Sequence, residues 1–456
     1  MGGGLRFGTD GVRGIANAEL TPELVLALGR AAARCLPAAT FVVGRDTRRS
    51  GTLLQAALSA GLAAEGADVV DAGVLPTPAL AWLSARDRVP AGVVSASHNP
   101  FADNGVKLFG AGGTKLAEAD ERAIEQEVAR VLDPSVRGPV NPSGHGVGRI
   151  DTDHGAGEAY LGHLCSLVEG RRLDGLRMVV DSANGAASAL AGDLYRRLGA
   201  EVVAIGCEPD GANINDGFGS TQPDALSRAV VEHRADLGLA LDGDADRLVA
   251  VDATGSVVDG DTLLALFAVD LAERGQLAGT TVVVTVMTNL GFRLAMRERG
   301  IVVKETPVGD RHVLAALDAD GLSLGGEQSG HIIFRHLSTT GDGLLTGLVL
   351  ADQVVRSGRP LADLTRGLVE PVPQVLLAVP VPDARALAEC RAVWDAVAEE
   401  SAALGDQGRV LVRPSGTEPV VRVMVEAADA AVALAVADRL AATVRDQLAG
   451  APHPPA

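Results

Sequence analysis

Apolar positions along the first 150 residues switch repeatedly between a period near 3.6 and short continuous runs. Leu20–Ala33, Thr52–Glu65, Thr77–Ala85 and Leu116–Leu132 carry helical spacing. Thr40–Val43, Asp68–Val74, Ala91–Val94 and Asn104–Phe109 are strand-length and rich in β-branched residues. Strands alternating with helices of this length predict a mostly parallel sheet covered by helices. The Pro- and Gly-rich stretch Asp133–Gly148 reads as a linker.

The alternation then resumes twice. Strands are predicted at Arg177–Val180, Glu201–Ile205 and Leu237–Leu241, with helices at Ala186–Leu198 and Gln222–Arg234. After them come a helix at Asp261–Arg274, a strand at Thr281–Val286, a helix ending at Arg299 and a strand at Ile301–Glu305. The apolar stretch Leu322–Phe334 is split by Gly325–His331. Three units of similar order point to a structural repeat, although no residue-level repeat is visible. Past a Pro-rich boundary at 371–382 the order changes: helix Ala384–Ala403, strand Arg409–Val412, strand Val420–Glu426, then a helix and a frayed tail at Ala451–Ala456. The expectation is α/β: three similar mixed α/β domains (1–150, 151–255, 256–370) and a smaller α+β domain (371–456).

A length of 456 residues is too much for one core, and 47% hydrophobic content excludes a disordered chain. The net charge of −18, from 40 basic and 58 acidic residues, argues against nonspecific binding to nucleic acid or anionic membranes. Cys35, Cys165, Cys207 and Cys390 are widely spaced, so buried reduced thiols are expected rather than disulfides or a zinc site. Met1–Arg6 has no apolar signal core and lacks the myristoylation pattern, and no apolar run reaches membrane-spanning length. A cytoplasmic protein is expected.

Four stretches carry candidate chemistry. Ser95-Ala96-Ser97-His98-Asn99-Pro100 follows a buried strand and cannot continue it, which puts Ser97 on a tight loop at a strand's carboxyl end. His98 and Lys107 are near enough in sequence to activate its hydroxyl; the alternative is a serine-rich capping turn. Asp242, Asp244 and Asp246 are separated only by Gly and Ala. In an extended segment such alternate carboxylates share a face and suit a hard divalent cation. An EF-hand fails, because Arg247 stands at its sixth position and Ala253 at its twelfth. Glu327 and Ser329 can pair with sugar hydroxyls and His331 can move a proton, unless the turn is a plain hairpin. Arg413, Ser415, Gly416, Thr417 and the nearby Arg422 make a candidate phosphate cradle, against a proline-stiffened turn. Gly8–Gly14, with Arg13, is a further glycine-rich loop. Arg13, Arg45, Lys107, Arg247, Lys304, Arg311, Arg413 and Arg422 lie in or beside these loops, so an acidic chain can still focus positive potential locally.

Taken together and in this order, these motifs resemble the α-D-phosphohexomutase superfamily over the whole chain. Gly8–Gly14, Ser95–Pro100 and Gly326–His331 match the branch acting on glucosamine phosphates, and no chemistry-bearing position departs from it. The resemblance implies that the four domains surround a central cleft, and that Ser97 is a phosphoserine, with one Mg²⁺ held by that phosphate and Asp242, Asp244 and Asp246. It implies Arg247 beside the transferring group, with His98, Lys107 and His331 also in the catalytic set. Lys107 and His331 are the proton-transfer candidates, unassigned between them. Arg13, Lys304, Glu327 and Ser329 would bind substrate, and Arg413–Thr417 with Arg422 the non-reacting phosphate. The implied reaction interconverts glucosamine 6-phosphate and glucosamine 1-phosphate through the 1,6-bisphosphate, with glucosamine or glucose 1,6-bisphosphate as activator, feeding UDP-N-acetylglucosamine and cell-wall synthesis. A mutase for glucose or mannose phosphates is the nearest rival, and a phosphoserine-intermediate phosphatase or a non-catalytic sensor the rivals of other classes. The sequence allows a homodimer.

Overall fold

Ala91, Val93 and Val94 are wholly buried, and the strand they form lies in the interior of the first of four sheets. The structure, a computed structural model, describes residues 5–8, 10–136, 140–168, 170–415 and 419–448. By packing, the chain forms two units, residues 1–287 with 301–368 and residues 288–300 with 369–456.

The larger unit holds three sheets. The first contains β1 (Val12–Ile15), β2 (Thr40–Arg45), β3 (Asp68–Val74), β4 (Ala91–Val94), β5 (Asp103–Gly110), β6 (Thr114–Lys115) and β7 (Ile150–Thr152), in the order β1-β5-β4-β2-β3-β7 with β6 on β5. Helices α1 (Pro22–Cys35), α2 (Gly51–Ala64), α3 (Thr77–Asp87) and α4 (Glu118–Leu132) accompany it. Thr21 caps α1 by accepting from the Leu24 N–H, with Pro22 in the first turn. The buried stripe Val25, Leu28, Ala31, Ala32 then joins Leu54, Leu58 and Leu62 of α2 in one core. After α5 (Ala156–Ser166), the second sheet is built from β8 (Arg177–Asp181), β9 (Glu201–Ile205), β10 (Leu237–Leu241), β11 (Leu248–Asp252) and β12 (Val257–Val258), ordered β12-β11-β10-β8-β9, with α6 (Ala191–Arg197) and α7 (Asp224–His233). After α8 (Gly260–Glu273) come β13 (Thr281–Thr285), α9 (Leu290–Glu298), which belongs to the smaller unit, then β14 (Val302–Thr306), α10 (Asp310–Asp320), β15 (Leu324–Gly326), β16 (Ile332–Phe334), α11 (Gly343–Ser357) and α12 (Leu361–Thr365). The third sheet runs β14-β13-β15-β16.

The repeat expected from the sequence has a functional consequence. In each sheet a strand paired parallel to a neighbour turns directly into an antiparallel one: β4 into β5, β10 into β11, β15 into β16. Those turns are the Ser97, Asp242–Asp246 and Glu327–His331 loops. The smaller unit has β17 (Gln374–Pro380), α13 (Arg391–Leu404), β18 (Gly408–Pro414), β19 (Val420–Ala427) and α14 (Ala430–Leu448), with an antiparallel sheet ordered β17-β19-β18.

Several expectations need correction. Val12–Ile15, read as part of a glycine-rich loop, is a strand paired with β5. Ala186–Leu190 forms turns, so the predicted helix begins only at Ala191. The Pro-rich 371–382 boundary contains β17, its prolines clustering at the strand's ends. The helix predicted from Ala384 starts as a 3₁₀ segment, Ala384–Glu389, before α13. The cysteines are unpaired but only partly buried. Ala451–Ala456 lies outside the described residues. Among the described residues no helix is long and apolar enough to cross a membrane.

Candidate active site

Ser97 is buried at the end of β4 with a φ of 54°, a left-handed conformation that costs a non-glycine residue roughly 1–2 kcal/mol. Its loop is held from behind. Arg48, fully buried, donates to the carbonyl oxygens of Ser97 (3.0 Å), Asn99 (2.7 Å), Asp103 (3.1 Å) and Pro100. Asn215 adds bonds to the Ser97 and Asn99 carbonyls at 2.9 and 3.1 Å. Those constraints direct the Ser97 hydroxyl to Asp242 Oδ2, to which it donates at 2.6 Å; His98 Nδ1 is 3.3 Å away. Burial, then Arg247 and Arg13, lower the His98 pKa to about 4, so its imidazole is neutral at pH 7.

The aspartate trio lies on a tight turn, not on an extended segment. The Ala245 N–H donates to the Asp242 carbonyl at 3.0 Å and Ala245 has a φ of 59°. The turn brings one oxygen of each carboxylate within 4.8 Å of the others. All three are buried, and Asp244 Oδ1 and Asp246 Oδ1 have no hydrogen-bond partner among the described residues. Buried, orphaned carboxylate oxygens at this spacing fit a hard cation. Burial and then the charges of Asp246 and Asp244 push Asp242 far above the ordinary carboxylate range. Asp246 goes the other way, to about 2: burial raises it, but Lys107, His331 and Arg247 together outweigh that. Lys107 Nζ lies 2.7 Å from Asp244 Oδ2 and 3.2 Å from Asp246 Oδ2, so it serves the trio and forms no hydrogen bond with the Ser97 hydroxyl. Thr77 fixes Asp244 with a 2.6 Å bond to the same Oδ2.

A cavity of about 260 Å³ opens beside these groups, lined by His98, Asp246, Arg247, Glu327, Ser329 and His331 together with Asp10, Thr285, Val308 and Asp310. Arg247 anchors its backbone N–H on Asp242 (3.2 Å), while its guanidinium makes no hydrogen bond among the described residues and lines the cavity. Glu327 accepts from the Gly309 N–H at 3.2 Å, and burial raises its carboxyl above the usual value. The Glu327 loop is seated by Leu248 N donating to Gly330 O at 3.0 Å; a Cβ on Gly330 would fall 2.1 Å from Leu248 O. Arg13 bonds Asp10 at 3.0 Å and Asn99 at 3.4 Å.

Other candidates are placed differently. Lys304 pairs with Asp320 and does not line the cavity. Arg45 is bonded to Gln55 and Arg311 to Glu121, so the convergence of cations expected from sequence narrows in this unit to Arg13, Lys107 and Arg247. In the smaller unit Arg413 and Arg422 stand directly opposite in the β18–β19 ladder, and burial together with Arg422 lowers the Arg413 pKa. Ser415 donates its N–H to Val420 O at 2.9 Å, whereas Gly416 and Thr417 lie outside the described residues. Sequence reasoning missed Arg48, Asn215, Thr77 and Asp310. Only Arg48 had a usable signal, sitting with Asp46 just past the β2 run.

Comparisons with known proteins identify the family. The phosphoglucomutase/phosphomannomutase models match in series: alpha/beta/alpha domain I at residues 4–134, domain II at 158–255, domain III at 259–372 and the C-terminal domain at 376–443. The curated phosphoglucosamine mutase of Saccharopolyspora erythraea is 55% identical over 445 residues, 96% of this chain and 98% of the relative. A phosphoglucomutase/phosphomannomutase family protein from Burkholderia thailandensis superposes with a TM-score of 0.80 at 26% identity, covering 97% of this chain and 98% of that one. Aspergillus fumigatus N-acetylphosphoglucosamine mutase, solved with GlcNAc-6P and magnesium, shares the fold (TM-score 0.70, 19% identity, 98% and 96% covered). With four domain models matched in order and more than half of all positions shared with a full-length relative, the chain belongs to the phosphoglucomutase/phosphomannomutase family of phosphohexomutases and is an isomerase.

Proposed function

We propose that the protein interconverts glucosamine 6-phosphate and glucosamine 1-phosphate, with Ser97 as the phosphoryl relay. The observation that carries this is the 2.6 Å bond between the Ser97 hydroxyl and Asp242 of a buried aspartate trio. The 55% identity to a phosphoglucosamine mutase supports the choice of sugar.

Asp242, Asp244, Asp246 and the Ser97 phosphate would hold Mg²⁺, which supplies charge neutralisation during phosphoryl transfer. Phosphoserine 97 gives its phosphoryl group to the free hydroxyl of the substrate: a bond forms from sugar oxygen to phosphorus as the Ser97 Oγ–P bond breaks. The sugar's proton leaves to a cavity base, and the Ser97 oxygen becomes a hydroxyl once protonated. The bisphosphate then turns end for end and returns its other phosphoryl group to Ser97. Arg247, whose guanidinium lies 3.7 Å from Asp246 Oδ1 but makes no hydrogen bond among the described residues, stabilises the equatorial oxygens in transit. Lys107, held charged by Asp244 and Asp246, cannot serve as a base, which leaves His331 and neutral His98 as acceptors. Glu327 and Ser329 take sugar hydroxyls, and Arg413, Ser415 and Arg422 take a phosphate. Glucosamine or glucose 1,6-bisphosphate would prime the serine. The reading divides the chain at 150, 255 and 370, puts the enzyme in the cytoplasm and allows a dimer.

Phosphopeptide mapping of the purified protein, followed by parallel rates on glucosamine, glucose and mannose phosphates, tests it. Phosphate on Ser97 and fastest turnover of the glucosamine ester are expected. Faster turnover of glucose or mannose phosphate would assign the neighbouring activity, and undiminished turnover by Ser97→Ala would remove the relay.

A further inference from the structure

The carboxylates lining the cavity are not equivalent. Asp10 gives one oxygen to Arg13 and the other to Lys115, and Asp246 belongs to the aspartate trio. Asp310 is 6% exposed, and both hydrogen bonds it accepts, from Lys115 Nζ and the Arg311 N–H, fall on Oδ1. Its Oδ2 faces His331 Nε2 across 3.7 Å, too far for a hydrogen bond. His331 is 3% exposed, yet neither ring nitrogen has a hydrogen-bond partner among the described residues. A buried imidazole left in this state lacks a ligand group.

That group must serve a carboxylate oxygen and an imidazole nitrogen at one point. A sugar hydroxyl has a single proton to give, whereas an ammonium has three and carries the charge a carboxylate prefers. We infer that Asp310, with His331, reads the 2-ammonium group of the substrate and so selects an amino sugar over glucose or mannose. This rests on the proposed glucosamine activity. Glu327 is the weaker counter-ion: the Gly309 N–H already occupies Oε1, and burial raises its carboxyl. Burial acts most strongly on Asp310 too, but the charge and hydrogen bond of Lys115, together with His331, more than offset it and hold that carboxyl below its ordinary value.

The test is calorimetric binding of glucosamine 6-phosphate and glucose 6-phosphate to the catalytically silent Ser97→Ala protein with Mg²⁺. The amino sugar should bind about tenfold or more tightly, the scale of one charge-assisted hydrogen bond. Adding Asp310→Asn should bring the two within about twofold, while adding Glu327→Gln should leave the ratio standing. A ratio that survives Asp310→Asn, or that collapses with Glu327→Gln instead, overturns the inference alone. Should Asp310→Asn not fold, N-acetylglucosamine 6-phosphate removes the charge from the ligand side; binding as tight as that of glucosamine 6-phosphate then overturns it. Wild-type turnover faster on glucose 6-phosphate would sink the substrate reading and this inference with it.

Discussion

Arg48 Nη2 donates to the carbonyl oxygen of Ser97 at 3.0 Å, and both residues are buried. Arg48 Nε meanwhile donates to Asp46 Oδ2 at 2.9 Å; the same oxygen accepts from Ser95 Oγ at 2.6 Å, and Ser95 Oγ accepts the Ser97 N–H at 3.0 Å. Ser97 is thus gripped at its carbonyl and its amide by one ion pair and one hydroxyl. This explains how the loop sustains a left-handed serine.

The fork should matter more than the charge. Arg48→Met strands Asp46 as a buried unpaired anion, at a cost of about 3–5 kcal/mol. Arg48→Lys keeps the charge but cannot span four carbonyls. We expect the lysine variant to fold and to lose at least about tenfold in kcat with little change in KM, because the loop carrying the phosphoryl group loosens while the sugar's contacts stay. Steady-state kinetics decide; a rise in KM alone would contradict this role.

Three buried carboxylates with oxygens within 4.8 Å of one another predict a metal response separable from turnover. In EDTA, Asp242→Asn should melt above the wild type, because the buried carboxyl that Asp246 and Asp244 disfavour in its charged form is gone. Millimolar Mg²⁺ should raise the wild-type Tm, by about 2.7 kcal/mol of stability at a hundredfold excess over Kd, and should move the variant far less. Turnover should vanish in EDTA and return with Mg²⁺. Equal Mg²⁺ responses in the two proteins would rule out the trio as the metal site.

What the sequence disclosed about this site is what lies close together in the chain. The Ser97 loop, the Asp242–Asp246 trio and the Glu327–His331 turn are each contiguous and each follow a recognisable apolar run, so they and their strands could be read directly. Arg48, Asn215 and Thr77 could not, because their partners are 49, 118 and 167 residues away. Asp310 carried no signal of its own in the sequence; only folding sets it against His331. The trio itself was found for an imperfect reason, since a turn through Ala245 gathers the carboxylates rather than the pleat of a strand. Helices α10 and α11 went unread because each follows a loop whose glycines obscured its start.

Gly243 offers a test of how tightly the serine and aspartate loops are pressed together. A Cβ there would meet Ser97 O at 2.6 Å and Ile214 Cδ1 at 2.8 Å. Arg48 and Asn215 already fix that carbonyl, so the aspartate turn is the part that must move. Gly243→Ala should cost about 1–3 kcal/mol as overpacking. A displacement near 1 Å at the 2.6 Å Ser97–Asp242 contact should lower kcat about a hundredfold. Urea unfolding and kcat measured together check this; normal kcat would mean that the two loops have slack.

Asp342 ties the first residues of α11 to Tyr160 of α5, and its protonation should shape the acid side of the stability curve. Its Oδ1 accepts the Leu345 N–H at 2.9 Å and its Oδ2 accepts the Tyr160 hydroxyl at 2.5 Å. Burial raises the pKa from 3.8 to about 6, more than those bonds lower it. The folded protein therefore keeps a proton that the unfolded chain releases. This group's contribution is complete below about pH 4, falls as the pH rises toward 6 and is constant above. The total at stake is at most about 3 kcal/mol. Asp342→Asn keeps an oxygen for the helix cap and does not titrate, so the stability difference, variant minus wild type, should grow from pH 4 to pH 6.5 and then level. Urea midpoints at pH 4.5, 5.5 and 7 measure it. A difference independent of pH would mean that the carboxyl stays ionised, and that the Tyr160 bond is stronger than its burial.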